Sequence, residues 1–129
     1  TEAFRKVNAN LNFAMEAMMR EIREGNNYSA TDCGGAKFCF TDKDNTQIKY
    51  QLNSGGYIER KGPSGDWIRL TSDEIKITNL SFSARGNSAG DKQQPLATMA
   101  ISGESGTKEK LKSRLNLQTT VSQRKLDPL

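Results

Sequence analysis

A chain of 129 residues is the length of one ordinary domain with a single core. With 34% hydrophobic and 26% charged residues and a mean hydropathy of −0.73, it holds no apolar run of about twenty residues that could span a membrane as a helix. Its +4 charge is a mild excess of 19 Lys and Arg over 15 Asp and Glu, and the absence of histidine excludes Ser-His-Asp and Cys-His hydrolases and imidazole-based zinc sites.

The first element is helical. Phe4, Val7, Leu11, Met15 (with Ala14), Met18 and Ile22 recur at steps of three and four residues, which is one face of an α-helix. Ala, Met, Glu and Arg favour helix, and no proline interrupts residues 1–24. Gly25, followed by Asn26 and Asn27, is the stop signal, read as a left-handed residue just past the last turn. The beginning is poorer, since Glu2 suits the helix dipole while Arg5 and Lys6 oppose it. Two readings follow: a longer helix cut at Thr1, or a helix that starts near residue 2.

From Tyr28 the period changes to two. Strands are predicted over 37–40, 47–53, 57–61, 67–70, 75–85, 96–102 and 112–122, separated by turn chemistry. Ile48, Tyr50 and Leu52 alternate with Gln47, Lys49 and Gln51; Leu115, Leu117, Thr119 and Val121 alternate with Arg114, Asn116, Gln118 and Thr120. One apolar and one polar face per strand marks an antiparallel sheet covered by a helix on one side. Ser54-Gly55-Gly56 and Gly62-Pro63-Ser64-Gly65 are hairpin turns. The apolar phase switches from Ile75 and Ile77 to Leu80, Phe82 and Ala84, so a bulge is expected near Asn79. Residues 86–95 and 103–110 read as long polar loops.

No Walker A sequence, GxGxxG or HExxH occurs, and nothing sets a nucleophile beside a base, so the chain reads as a non-enzyme without a cofactor. Asp42, Asp44 and Asn45 in TDKDNTQ resemble the start of a calcium loop, and equally a hairpin turn. Lys108, Lys110, Lys112, Arg114, Arg124 and Lys125 are open to two readings, capture of DNA or a solvated face.

Helix first and strands after it give an α+β fold: a long N-terminal helix packed on an antiparallel β-meander, in one domain over 1–129. Four segments, FAMEAMMREIREGNN, YQLNSGGYIERKG…WIRLT, SDEIKITNLSFSARG and LKSRLNLQTTVSQRKLD, occur in an order and spacing that resembles the type IV pilin superfamily. The likeness is to its minor pilins and to the pseudopilins of type II secretion systems. It implies a pilin-like fold, with 1–24 as the C-terminal half of a stem helix and 28–129 as a β-rich head. It also implies a prepilin whose leader and apolar segment precede Thr1.

The function so implied is that of a structural filament subunit. Its partners are other pilin or pseudopilin subunits and the cytoplasmic membrane, with no small-molecule substrate. The setting is the bacterial envelope: inner-membrane anchored first, then a periplasmic or extracellular filament. Phe4, Val7 and Leu11 are the expected subunit contacts, with Phe4 and Val7 more exposed than the Leu11, Met15, Met18 and Ile22 face. For Cys33 and Cys39 in CGGAKFC, an even count in an exported chain favours a disulfide, against a pair of reduced core cysteines. The alternative function is a secreted β-rich module that recognises a ligand through its sheet or long loops.

Overall fold

The computed structural model describes residues 2–85, 95–105 and 113–123. One helix, α1 (Glu2–Glu24), is followed by eight strands: β1 (Asn26–Ser29), β2 (Phe38–Thr41), β3 (Gln47–Asn53), β4 (Tyr57–Lys61), β5 (Trp67–Arg69), β6 (Lys76–Arg85), β7 (Leu96–Ser105) and β8 (Ser113–Ser122). The strands form two antiparallel sheets, one ordered β1-β2-β3-β4-β5 and the other β6-β7-β8.

The pilin-like expectation of one meander under the helix is therefore corrected. The chain is mostly β, α+β-like in class, and its sheet is split between β5 and β6. The cause lies in the strands at the break. β5 is three residues long, and β6 turns its apolar side, Leu80 and Phe82, toward the first sheet rather than extending it. The Phe82 ring stacks on Phe38 at 4.8 Å and on Tyr50 at 6.2 Å between centroids. Face-to-face burial of these rings removes more apolar area from water than adding β6 to the edge of a three-residue strand would.

The helix packs against β7 and β8. Leu11, Met15, Met18 and Ile22 are buried, as their spacing requires, together with Ala14. Val7 is buried as well, at 0% exposure, which corrects the expectation that it stands clear of the sheet. β7 continues through Gly103 to Ser105, into residues that read as loop in the sequence, so it still covers Val7's turn of the helix. Gly103 permits the contact: a Cβ there would come within 3.1 Å of Leu11 Cδ2. The bulge is present, since the β6–β7 register shifts between Ile77 and Asn79.

Gly25 ends the helix for a different reason from the one expected. Its φ is not positive; the left-handed residue is Asn27, at φ 57°. A Cβ on Gly25 would collide with the Thr41 carbonyl oxygen and lie 2.6 Å from Phe40 Cδ2. The glycine lets β2 pass against the end of the helix, and β1 begins at once.

Tyr28, on β1, donates its hydroxyl at 2.7 Å to the Ile22 carbonyl oxygen near the end of the helix, which also accepts from the Gly25 amide at 3.0 Å. Burial pushes this phenol up to about 12, with Arg23 opposing slightly. The sign follows from linkage. The fold favours the protonated form, so its stabilisation is complete below the unfolded-chain value of about 10 and is lost as pH rises toward about 12. Denaturant midpoints are expected to be flat from about pH 7 to 9 and to fall through the window from about 10 to 12. A midpoint unchanged at about pH 12 would contradict this placement of Tyr28.

Candidate functional site

Two exposed regions of the helix carry the chemistry available for recognition. The first is apolar. Among the described residues the exposed large hydrophobics are Phe4 (45%), Phe13 (72%) and Ile68 (53%). Phe13 falls off the three-and-four stripe and points away from the sheets, with Ala9, Asn10, Glu16 and Ala17 three or four residues away on the same side. Phe4 lies on the stripe, in the first turns of the helix. Of the three expected subunit contacts, only Phe4 presents surface; the Val7 and Leu11 side chains are fully covered by the chain's own sheet. Sequence reasoning misses Phe13 because a periodicity search rewards apolar residues in phase and passes over one out of phase. That misfit is itself the available signal.

The second region is a groove of about 490 Å³ beside the C-terminal half of the helix. It is lined by Ala17, Glu21, Tyr50, Arg60, Pro63 and Leu70, among others. Tyr50 and Arg60 are direct cross-strand neighbours on β3 and β4, so one helical carboxylate can reach both. Arg60 grips Glu21 with a two-pronged contact, Nε to Oε1 at 2.9 Å and Nη2 to Oε2 at 2.5 Å. The Tyr50 hydroxyl donates to the same Oε1. Burial holds Tyr50 well above its usual range, and the Glu21 charge adds to this. The hydrogen bond to Glu21 likewise raises Arg60. At neutral pH the phenol stays protonated and the guanidinium charged, so the trio clamps helix to sheet.

The remaining sequence-derived residues fall into place as follows. Cys33 and Cys39 form a disulfide, with Cα atoms 5.6 Å apart. Gly34 and Gly35, at φ 64° and 95°, supply the bend between them. Closing so short a loop contributes about 2 kcal/mol on the chain-entropy account. Asp42 Oδ1 accepts from the Asp44 and Thr46 amides at 2.9 and 2.8 Å, and Asn45 is left-handed at φ 64°. That is an Asx-type hairpin turn. Among the described residues no three His, Cys, Asp or Glu side chains gather in a way that could hold a metal ion.

Arg114 pairs with Glu104 at 3.1 Å across β7 and β8. Lys108, Lys110, Lys112, Arg124 and Lys125 lie outside the described residues. No described helix is long and apolar enough to cross a membrane. No family model, curated protein or solved structure matches the chain.

Proposed function

We propose that the chain is a non-catalytic structural subunit, a minor pilin or pseudopilin of a type IV pilus or type II secretion-like filament, that assembles through its N-terminal helix. It is held at the cytoplasmic membrane before assembly and lies in an envelope filament afterwards. The observation that carries this reading is Phe13, 72% exposed on the side of the helix away from both sheets. Burying a phenylalanine against a neighbouring helix contributes about 1.5–3 kcal/mol. Such a residue is a cost in a lone domain and an asset in a bundle of stems. Phe4, 45% exposed in the first turns, offers a second apolar contact on the opposite side of the helix. The resemblance of the four sequence segments supplies the machine; the helix supplies the contact.

The test is Phe13→Glu. It touches no core group, so the domain's melting point should stay within the change of about 0.5 kcal/mol ordinary for a surface site. Recovery of the protein in the sheared filament fraction should fall by about tenfold, on the loss of about 1.4 kcal/mol or more per contact. Unaltered recovery of Phe13→Glu in filaments would end the helix-assembly reading. A protein that stays monomeric in its native setting and never enters a filament would return the question to the secreted module.

A further inference from the structure

The outward face of the five-stranded sheet has no described helix on it, and lysines and aromatic rings stand there among polar side chains. Register sets Cys39, Lys49, Lys61 and Trp67 in a single row across β2 to β5. Gln51, Glu59 and Arg69 form the next row. Lys37 and Tyr57 stand on the same face by alternation, opposite in sense to the buried Phe38, Tyr50 and Ile58.

Lys49 and Lys61 face one another directly. Their ammonium groups lean apart, that of Lys49 toward Gly34 and that of Lys61 toward Trp67. Among the described residues no ion pair reaches either lysine. The carboxylate nearest to them on the face, Glu59, is buried and accepts from Gln51 Nε2 at 2.9 Å and Asn53 Nδ2 at 3.2 Å. Both aromatic rings are flanked by cations: Lys61 Nζ lies 5.8 Å from the Trp67 ring centre, and the Arg69 guanidinium 4.2 Å from that of Tyr57. The disulfide loop forms one rim, with Gly34 beside the Lys49 ammonium. Asp66, in the turn before Trp67, and Asp73 and Glu74, past Tyr57, bound the cationic area on its other sides.

We propose that this face binds single-stranded nucleic acid. The Lys49 ammonium, beside Gly34, meets one phosphate, the Lys61 ammonium, beside Trp67, meets another, and a base stacks on Trp67. Lys37 meets a neighbouring phosphate, while Arg69 stays bound to the Thr71 carbonyl through its Nε at 2.7 Å. Each lysine, without an ion pair among the described residues, can neutralise one phosphate, and release of condensed counter-ions drives the association. An aromatic plane beside that charge selects an unpaired base, whose π-face is free, over a duplex, whose bases are already stacked. The inference rests on the sheet face alone and is independent of filament assembly.

Trp67 is the sole tryptophan of the chain, so its emission reports on the site. Titration of the 129-residue protein with a dT oligonucleotide of about twelve nucleotides at low salt should quench that emission, and a duplex of equal length should not. Lys49→Ala/Lys61→Ala should bind about tenfold more weakly, and its slope of log affinity against log salt should be shallower by about 1.4, two phosphates' worth. Lys61→Gln alone should remove about half of that slope. Arg85→Ala, on the other sheet, should match the wild type.

Neither lysine holds an ion pair among the described residues, so the double variant should melt within about 0.5 kcal/mol of wild type, which separates lost binding from lost fold. Three results would overturn the proposal: unquenched Trp67, a double variant with wild-type affinity and salt slope, or tighter binding of an acidic polysaccharide with Trp67 emission unchanged. The last would make the face a plain cation patch.

Discussion

Val7→Glu is expected to leave no folded domain at 25 °C. Val7 has no exposure and belongs to the same buried cluster as Leu11, Ala14, Met18 and Ile101. A carboxylate there would sit within the hydrophobic cluster, and burying it unpaired costs several kcal/mol, alongside the lost packing of the valine. A total of about 5 kcal/mol or more is comparable with the whole stability of a small domain. Met18→Glu should behave the same way, while Phe13→Glu should melt with the wild type. Far-UV circular dichroism against temperature separates the three. A Val7→Glu protein melting within a few degrees of wild type would mean that the first turns of the helix are held far less firmly than their burial indicates.

Gly25→Ala carries the second large effect, about 2–4 kcal/mol, from a single methyl group. The backbone at Gly25 is one that alanine adopts freely, so none of the loss comes from φ. All of it comes from the collision with the Thr41 carbonyl and the Phe40 ring, neither of which can retreat: one is backbone in β2 and the other lies in the core. Asn27→Gly is the control. Asn27 is the left-handed residue, and glycine is at ease there, so its substitution should change stability by less than about 0.5 kcal/mol. Denaturant midpoints of the two variants measure the difference. If both substitutions proved neutral, the close passage of β2 against the helix end would have to be abandoned.

These two residues also show where reading the sequence succeeds and stops. The helix, its buried stripe and the limits of β3 and β4 follow from periodicity and turn residues, because local spacing alone decides them. The bulge near Asn79 follows from a phase slip in the apolar pattern. What spacing does not encode is how far a neighbour extends. Val7 is in phase whether or not β7 reaches it, and Gly103 reads as loop in sequence although it is a point of close approach to Leu11. β1 escapes sequence reading because four residues beginning Asn26-Asn27 offer no alternation and look like a helix stop. The split into two sheets is equally hidden, since it depends on Phe82 preferring the rings of Phe38 and Tyr50 to the end of a short strand. At the candidate sites, Cys33 and Cys39 are legible from count and setting. The Glu21–Arg60–Tyr50 clamp is not, because it joins residues 39 positions apart that carry no motif.

The helix is the first described element of the chain, and the strands it packs against, β7 and β8, are the last. Every strand pairing joins neighbours in sequence and can close as soon as its two strands exist. The N-terminal half of the helix has no such local partner for its apolar stripe and waits for β7. In a chain emerging from its N-terminus, Val7 and Leu11 stay open to solvent until β7, which ends at Ser105, has appeared, while the hairpins between form without them. The stripe that ends as core is thus, for most of the time the chain is being made, an adhesive surface. Whatever first covers it, a chaperone, a membrane face or another nascent copy, competes with β7 for the same side chains.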